Sequence, residues 1–313
     1  MKLSDLFKDS HQLTRIIILT GIALVLVIVS FGGYYYYDRY VDKSSNVSPI
    51  QQSITDLEQA VLENPSDVEL RLSLAETYMT NRHYENAIAQ AEQVYRTDLE
   101  NERALFVMGI SLASTAQYEQ AIEPLNKFAT IREEGTMANS DMALETALYF
   151  LGESYLQTRQ AREAISVLER ALEINRTDAD AMYKLGQAYA ATGRHKEALA
   201  SYENAIRFVP DFAEVYQGMV ESFIALSQPN RAAYARGMLA FSIKDYEGAR
   251  VELEQVVMTE PDYVPAYLGL GLTYEQLGDS QYALAYTDLA LQLDPNSQAA
   301  LQLKGRLEAA AQE

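Results

Sequence analysis

Small and apolar residues recur along this chain at intervals of 34 positions. Gly152 recurs as Gly186, and Gly237 recurs as Gly271. An interval of this length is typical of stacked helix–turn–helix units, in which each unit buries its apolar face only against its neighbours. The pattern therefore predicts an all-α solenoid with a long accessible surface, an architecture that suits binding better than catalysis.

The recurring positions take residue types that two packed helices require. A large residue, a Leu-Gly pair and a Tyr mark the first helix of a unit, whereas a small Ala and a bulky residue mark the second. Gly and Ala fit where the helices cross closely, the large residues fill the space between them, and Pro ends the second helix. These positions hold Leu151, Gly152, Tyr155, Ala164, Leu168 and Ala171 in one unit, Leu185, Gly186, Tyr189, Ala198, Tyr202, Ala205 and Pro210 in the next, and Leu270, Gly271, Tyr274, Ala283, Ala290 and Pro295 in another.

With these residues in these positions, the chain resembles the tetratricopeptide repeat (TPR) family. The resemblance extends over residues 50–311 and implies about six full repeats plus partial units. The implied fold is a TPR helix-turn-helix solenoid that winds as a right-handed superhelix. One transmembrane helix is expected to precede it.

The 34-residue register is interrupted twice. The first break adds nine residues in the polar segment 132–141, which predicts a loop between two units. The second break lies between Ala198 and Ala249, which are separated by 51 positions, an excess of half a repeat. This excess predicts a helix near residues 213–229 that has no paired second helix.

An uncharged stretch near the N-terminus comprises residues 16–37, from Ile16 to Tyr37. About 20 apolar residues span the hydrocarbon core of a bilayer, so this stretch predicts a transmembrane helix. Its last part carries four consecutive tyrosines, which suit the headgroup level of a membrane. A cleaved signal peptide is the alternative interpretation, although the apolar stretch is longer than the core of a usual signal peptide.

The transmembrane interpretation divides the rest of the chain. Residues 1–15 are expected to be an N-terminal cytoplasmic tail, residues 38–49 a polar tether, and residues 50–311 the solenoid. Basic residues are slightly more frequent before the span than directly after it, which favours a cytoplasmic N-terminus. The sequence therefore predicts a single-pass protein of a bacterial inner (cytoplasmic) membrane, with its C-terminal TPR domain outside the cytoplasm.

The composition limits the partners. The chain of 313 residues contains 44 Asp and Glu against 25 Lys and Arg, a formal net charge of −19. So acidic a chain repels phosphate backbones, and no binding of nucleic acid is expected; the charge favours basic partners or serves solubility alone. Cys is absent, which excludes disulfides, thiol catalysis and lipoprotein acylation.

No arrangement of reactive residues points to catalysis. His11, His83 and His195 lie far apart, and no metal-ligand spacing, phosphate-binding loop or nucleophile elbow is present in the sequence. We therefore expect no enzyme activity, catalytic residue, metal, cofactor or small-molecule substrate. Proteins or peptide segments, together with the membrane, are the expected partners.

The TPR resemblance also implies where a partner would bind. Members of the family commonly bind ligands in a groove lined by the first helices of the repeats. In the central repeats the groove positions combine aromatic rings with carboxylates, which suits a peptide with apolar anchors and basic residues. The alternative is that the rings pack on the next repeat and the carboxylates are solvated. The candidate protein-binding residues are Phe106, Tyr149, Glu153, Asp180, Tyr183, Gln187, Tyr234, Met238, Phe241, Leu268 and Leu272.

One known use of the fold is not expected here. Chaperone-binding members of the family hold a C-terminal carboxylate with a clamp of Lys and Asn on the first helices. The first repeat of this chain has Leu72, Ser73 and Glu76 at those positions, so no basic clamp forms. The acidic tail of a cytosolic chaperone is therefore not an expected ligand.

Two functional hypotheses follow. In the first, the chain is a membrane-anchored scaffold or adaptor that binds client proteins near the membrane, with a chaperone-like role in secretion or envelope assembly. Its layout is also similar to that of TPR proteins that bind apocytochromes in c-type cytochrome assembly. In the second, it is a stoichiometric structural subunit of a membrane protein complex. Self-association through the end repeats is a third alternative, and the oligomeric state stays open.

Overall fold

The computed structural model describes residues 10–37 and 48–311, with the backbone alone described for residues 10–17 and 22. These described parts of the chain contain helices and no strands. By its internal contacts the chain divides into two compact units, and the division falls between Leu70 and Arg71 in the sequence.

The first unit contains one long apolar helix and one amphipathic helix. Helix α1 (Ser10–Tyr36) has 27 residues, and its segment Ile18–Tyr36 has a mean hydropathy of 2.0. By length and composition alone, this segment fits either a membrane span or a secretory signal sequence. Helix α2 (Pro49–Glu63) begins after Ser48, whose hydroxyl accepts a hydrogen bond from the third residue of the helix at 3.1 Å.

Most of the expected tail and tether lie outside the described residues. The tail was placed at residues 1–15, of which residues 1–9 are outside, and the tether at residues 38–49, of which residues 38–47 are outside. These two expectations stay predictions.

From α3 onward, the chain is a succession of helices of 12 to 16 residues joined by short turns. Within the second unit, from α4 onward, each helix packs against the next one in sequence. A 3₁₀ turn (Ala138–Ser140) lies between α6 and α7. The helices are α3 (Val68–Thr80), α4 (Tyr84–Tyr95), α5 (Glu102–Ser114), α6 (Tyr118–Glu133), α7 (Met142–Gln157), α8 (Ala161–Ile174), α9 (Ala179–Ala191), α10 (His195–Phe208), α11 (Ala213–Ala225), α12 (Pro229–Ser242), α13 (Tyr246–Thr259), α14 (Val264–Gln276), α15 (Ser280–Leu293) and α16 (Gln298–Ala310).

The helix pairs close around a small residue on the first helix and a bulky residue 16 positions later on the second. A Cβ atom added at Gly152 would lie 2.5 Å from Cγ of Leu168, and one added at Gly109 would lie 2.6 Å from Cγ of Leu125. Real Cβ atoms do not approach so closely, so glycine permits the helix crossing. This confirms the packing role that the sequence pattern predicts.

Tyr202 extends the same arrangement to three helices. A Cβ atom added at Gly186 on α9, or at Gly218 on α11, would overlap the Tyr202 ring. The ring is 2% exposed and is the largest of the fully buried side chains in the described part of the chain. Tyr202 therefore joins α9, α10 and α11 through one buried contact.

The turns between paired helices share one backbone conformation. In each turn one residue has a positive φ, and the next residue donates its backbone N–H to a carbonyl five positions earlier, as Arg194 does to Tyr189 at 2.9 Å. This geometry ends a helix by satisfying its last carbonyls. The positive-φ residues are Arg82, Ala116, Arg159, Gly193, Ser227, Lys244 and Gly278. Those that are not glycine strain the backbone, since only glycine adopts this conformation freely.

Replacing Ala116 with Gly is therefore expected to raise the free energy of unfolding by about 1 kcal/mol, because φ at this residue is 59°. Urea unfolding followed by circular dichroism measures the change. The reverse substitution, Gly193→Ala, is the matched control and is expected to lower stability by a similar amount, since φ is 77° there. Equal stabilities for wild type and both variants would contradict this account of the turns.

The first interruption of the register lies between two helix pairs, as expected. Part of the insertion lengthens α6, which continues through Pro124 to Glu133, and the remainder forms the loop with the 3₁₀ turn. Asp141 then begins α7, because its Oδ1 accepts hydrogen bonds from the backbone N–H groups of Ala143 and Leu144 at 3.0 and 3.2 Å.

The second interruption differs from the expectation. We expected an unpaired helix near residues 213–229, but α11 packs against α12 across a turn of the usual type, with φ of 57° at Ser227. Helix α12 packs on α13 as well, so these helices form a group of three. The consecutive residues Ala232, Ala233, Tyr234 and Ala235 are all buried, since α12 lies between two neighbours. The half-repeat excess is thus a third packed helix.

The C-terminal helix covers the last helix pair. Helix α16 packs against α14 and α15, and its residues Leu303 and Leu307 form a buried cluster with Ala283. The hydroxyl of Ser297 begins this helix by accepting a hydrogen bond from the backbone N–H of Ala300 at 3.4 Å. Helix α16 thus covers apolar residues that the last helix pair would otherwise expose.

Candidate functional site

The candidate binding residues lie on the first helices of the pairs. We use "first-helix face" for the surface formed by the second, fifth, ninth and twelfth repeat positions of α5, α7, α9, α11, α12 and α14. Phe106 occupies the fifth position on α5 and is half-buried, with its ring centre 5.0 Å from that of Phe128. Phe106 therefore contributes to packing inside its own pair, and only part of its side chain is accessible to solvent.

Tyr183 and Gln187 form a second aromatic and polar group on this face. The Tyr183 ring lies 5.2 Å from the ring of Phe212, measured between centres, and its hydroxyl oxygen accepts a hydrogen bond from Nε2 of Gln187 at 2.8 Å. Burial and the nearby carboxylates Glu214 and Glu221 raise the pKa of the Tyr183 hydroxyl. The ring is therefore held in place and surrounded by negative charge.

Helix α11 continues this acidic surface. Glu214, Gln217 and Glu221 on α11 correspond by spacing to Asp180, Tyr183 and Gln187 on α9, and all three are exposed. Asp180 is exposed as well, and desolvation and the adjacent Asp178 raise its pKa. Sequence reasoning did not place α11 on the face, because it treated that segment as a break in the repeat.

The sequence suggested that the Glu153 carboxylate could bind a partner, but in the structure this carboxylate is already paired within the chain. Its carboxylate oxygen Oε1 lies 2.6 Å from Nζ of Lys184, and the two side chains are only 19% and 16% exposed. The ion pair joins α7 to α9, as the pair between Glu76 and Arg103 at 2.7 Å joins α3 to α5. Glu153 is thus compensated within the chain, and Asp180, Glu214 and Glu221 carry the exposed charge.

The residues expected on the later helices lie largely inside the fold. Tyr234 and Met238 are 8% and 6% exposed, so they are not accessible to a ligand in this structure. Phe241 is half-buried against Tyr246, with ring centres 5.5 Å apart. Leu268 and Leu272, also candidates, are partly buried against the cluster beneath α16. These five candidates are therefore mostly packed against other parts of the chain.

Tyr149 lies at a small acidic pocket of about 220 Å³, which is lined by Glu145, Thr146, Tyr149, Asp178 and Asp180. Burial, with negative charge from Glu153 and Asp180, raises the pKa of the Tyr149 hydroxyl. The pocket is lined by residues of α7 and of the start of α9. It brings two of the expected residues, Tyr149 and Asp180, to one place, and adds two carboxyl groups that sequence reasoning missed.

Glu145 is the unusual member of this pocket. Its side chain is 5% exposed, and Oε1 accepts no hydrogen bond from any group in the described part of the chain, whereas Oε2 lies 3.4 Å from the hydroxyl of Thr146. Burial and the neighbouring Asp178 raise the pKa of Glu145 to about 7. A buried carboxyl group that ionises this reluctantly weakens the folded state at neutral pH.

Glu145→Gln is therefore expected to stabilise the protein above pH 7 and to leave stability unchanged near pH 4. The unfolded chain ionises Glu145 near its ordinary pKa of 4.5, but the folded chain does so only near 7. Between these values the folded state holds the extra proton, so stability falls as pH rises. A shift of this size corresponds to about 1–3 kcal/mol. Urea unfolding at pH 4 and pH 8 measures the difference.

Glu102 provides the control for this prediction, because it occupies the same repeat position on α5. Its carboxylate lies 3.0 Å from Nη1 of Arg132 and is paired. Glu102→Gln is expected to change stability at pH 8 by less than about 1 kcal/mol, in the destabilising direction. A Glu145→Gln variant that is less stable than wild type at pH 8 would show that the ionised group is compensated.

Metal binding finds no support in the described residues. Among them, no group of three or more His, Asp or Glu side chains is arranged to hold a metal ion. His83 and His195 lie at or next to turns and are not brought together, and His11 lies where only the backbone is described. The chemistry available on the first-helix face is therefore hydrogen bonding, aromatic contact and the attraction of positive charge.

Family models identify the repeats. Two models, both described as tetratricopeptide repeat, match the chain: one at residues 50–98, 72–135 and 149–211, the other at residues 240–307. Together they cover more than half of the chain. The chain belongs to the tetratricopeptide repeat family. The family resemblance expected from the 34-residue spacing is thereby confirmed.

Three solved structures are similar to parts of this chain. "MamA MSR-1 C2" is 18% identical over 57% of this chain and 97% of its own, with a TM-score of 0.51. "Crystal structure of MamA" is 25% identical over 55% of this chain and 95% of its own, with a TM-score of 0.48. A third structure, YrrB, described as a TPR protein with an unusual peptide-binding site, is 18% identical over 80% of this chain and 97% of its own, with a TM-score of 0.44. No curated protein matches the chain.

These findings establish the fold class. The described residues form sequentially packed helix pairs, tetratricopeptide repeat models match the chain, and one MamA structure is similar to it with a TM-score of 0.51. The expected all-α TPR solenoid is therefore confirmed. TPR proteins are in general non-catalytic scaffolds that bind proteins or peptides. The architecture is therefore consistent with a protein-interaction scaffold.

Proposed function

We propose that this chain is a membrane-anchored TPR scaffold that binds segments of partner proteins on its first-helix face, with the TPR domain outside the cytoplasm. The observation that supports partner binding is the exposed acidic surface of α9 and α11. Glu214 and Glu221 lie near the half-buried ring of Tyr183, and Asp180 precedes Tyr183 by three residues on α9. None of the three carboxylates takes part in an ion pair among the described residues.

This surface favours a basic segment with an apolar or aromatic anchor. Its charge is exposed, so it attracts a cationic partner over several ångströms and sets the orientation of the encounter. The Tyr183 ring is held by Phe212 and Gln187, so little conformational freedom is lost when a partner contacts it. A scaffold that binds several clients requires such a surface, and a chaperone-like role in secretion or envelope assembly fits it.

A stoichiometric subunit of a membrane complex is the second candidate. An apolar groove on the later repeats, at Tyr234, Met238 and Leu272, would favour it. Tyr234 and Met238 are buried and Leu272 packs beneath α16, so that groove offers little area for a permanent apolar interface. We therefore prefer transient binding through the central repeats. No feature of the described residues favours an apocytochrome over other clients.

The membrane part of the proposal rests on α1. The segment Ile18–Tyr36 is 19 residues long, and its apolar side chains, such as Leu26 and Ile28, are about 61% exposed. Exposing so many apolar side chains to water is unfavourable in free energy, whereas they are stable in the hydrocarbon core of a bilayer. The anchor would hold the TPR domain close to the membrane and raise its local concentration for clients there.

Site-specific labelling tests the anchor and its orientation. The chain has no Cys, so Gln298→Cys, at an exposed position, supplies the only thiol. Intact cells that produce this variant are treated with a membrane-impermeant maleimide, and the mass of the labelled chain is measured. The proposal predicts labelling from outside on a full-length chain of 35.1 kDa. Labelling only after permeabilisation would contradict the orientation, and a chain shortened at its N-terminus would contradict the anchor.

A further inference from the structure

The acidic pocket next to Tyr149 has a counterpart in the preceding helix pair, and the two differ by one cation. In the preceding pair, Arg132 lies between two carboxylates: Nη1 is 3.0 Å from Glu102, and Nε is 2.6 Å from Asp141. Glu102 is the first repeat position of α5, and Asp141 is the residue that begins the next first helix. The guanidinium group thus joins a first helix to the one that follows.

The next helix pair repeats the two carboxyl groups. Glu145 occupies the same repeat position on α7 as Glu102 does on α5, and Asp178 begins α9 with a hydrogen bond from the backbone N–H of Ala181 at 3.0 Å. The position of Arg132, which lies 11 residues after Ala121, corresponds to Asn175, which lies 11 residues after Ala164. Asn175 is neutral and too short to bridge two carboxylates as a guanidinium group does.

Among the described residues, no basic side chain therefore forms an ion pair with Glu145 or Asp178 at this pocket. Glu145 is 5% exposed with no donor to its Oε1, while Asp178 and Asp180 line the same pocket. The nearest basic residue on α9, Lys184, is bound to Glu153 at 2.6 Å. Burying an ionised carboxyl group without a cationic partner is unfavourable, and the free-energy cost falls when a cation with hydrogen-bond donors binds beside it.

We propose that this pocket, lined by Glu145, Asp178 and Asp180, binds an arginine side chain of a partner protein. The ligand's guanidinium group would take the place that Arg132 occupies in the preceding pair, donating to Glu145 and Asp178. The Tyr149 ring lines the same pocket, and an aromatic ring attracts a planar cation that stacks on its face. The inference rests on the proposed function, since it names the residue type that the first-helix face selects.

The probe for this pocket is N-acetyl-arginine amide, compared with the citrulline analogue, which has nearly the same shape but no charge. Binding to the full-length chain in lipid nanodiscs is titrated by saturation-transfer NMR. We expect the arginine probe to bind at least tenfold more tightly than the citrulline probe. Glu145→Gln is expected to reduce arginine binding at least tenfold, since it removes the central charge.

One substitution fills the pocket with an internal arginine, and another removes the arginine from its counterpart in the preceding helix pair. Asn175→Arg supplies the guanidinium from the chain itself and is expected to abolish binding of the arginine probe. Asn175→Gln is the neutral control of similar size and is expected to leave binding unchanged. Arg132→Asn removes the internal cation beside Glu102 and is expected to create a second site, so that two probe molecules bind per chain.

Equal binding of the arginine and citrulline probes would overturn the proposal, as would unchanged arginine binding in Asn175→Arg. Either result would indicate that Glu145 and Asp178 share a proton and need no external cation. The scaffold proposal would survive this outcome, because it is tested separately by cross-linking from the first-helix face at Gln217. Conversely, arginine binding without any cross-linked partner would support the pocket and contradict the scaffold.

Discussion

Replacing Leu168 with Ala is expected to lower the free energy of unfolding by about 2–5 kcal/mol. Leu168 is fully buried, and its side chain fills the space above Gly152 where α7 and α8 cross. Gly152→Ala is expected to cost about 1–2 kcal/mol, because overpacking outweighs the better helix propensity of Ala. Urea unfolding of both variants, followed by circular dichroism, measures these changes.

The double variant tests whether these costs come from one contact. The methyl group of Ala at position 152 would occupy part of the space that Leu168→Ala vacates, so the double variant is expected to be at least about 1 kcal/mol more stable than additivity predicts. The first repeat supports this, since Ala75 and Ala91 hold the equivalent positions and are both buried. Leu289→Ala, at a residue 39% exposed, is the control and should cost much less. Strict additivity would contradict the packing account.

Replacing Leu24 and Val27 together with Arg is expected to release the chain from the membrane. Both residues lie within α1, and each Arg near the centre of a span costs about 2.5–3.5 kcal/mol of insertion free energy. The measurement is the fraction of chain that stays in the membrane pellet after alkaline carbonate extraction. We expect most of the wild type in the pellet and most of the variant in the supernatant.

The exchange Leu24→Val with Val27→Leu is the matched control for this prediction. It keeps composition and apolar character, so the chain should stay in the pellet. If the double Arg variant also stays there, α1 does not provide the anchor, and some other surface of the chain holds it at the membrane. If the wild type itself appears in the supernatant, the anchor proposal fails for the unmodified chain.

The repeat architecture could be predicted because its main contacts are local. Gly152 and Leu168, or Gly186 and Tyr202, are separated by only 16 residues within one helix pair, so their spacing in the sequence reports their contact directly. The group of three helices was not predicted, because the sequence gives no signal of its first turn. Its first turn uses Ser227 at a positive φ, and Ser gives no signal of that conformation, whereas Gly193 in the preceding pair does.

The site was harder to predict because its contacts join different helix pairs. Glu153 looked free, but Lys184 reaches it from 31 positions further along the chain. Glu145 was missed, since a Glu near the start of a helix usually reads as a solvated residue that favours the helix dipole. A comparison of the repeats in the sequence would have pointed to Glu145. Glu145 aligns with Glu102, but the residue that aligns with Arg132, the partner of Glu102, is the neutral Asn175. Only the structure shows that the carboxyl group of Glu145 is buried, with its Oε1 accepting no hydrogen bond.

The most direct test of the scaffold proposal is photo-cross-linking in cells from two faces of the same TPR domain. Benzoylphenylalanine is placed at Gln217, an exposed position on the first-helix face of α11, or at Asn204, an exposed position on the second helix α10. The account predicts discrete cross-linked partners from position 217 and none from position 204. It also predicts their loss when Asp180, Glu214 and Glu221 are all replaced with Lys. Equal cross-linking from both positions, or cross-links that survive the charge reversal, would contradict it.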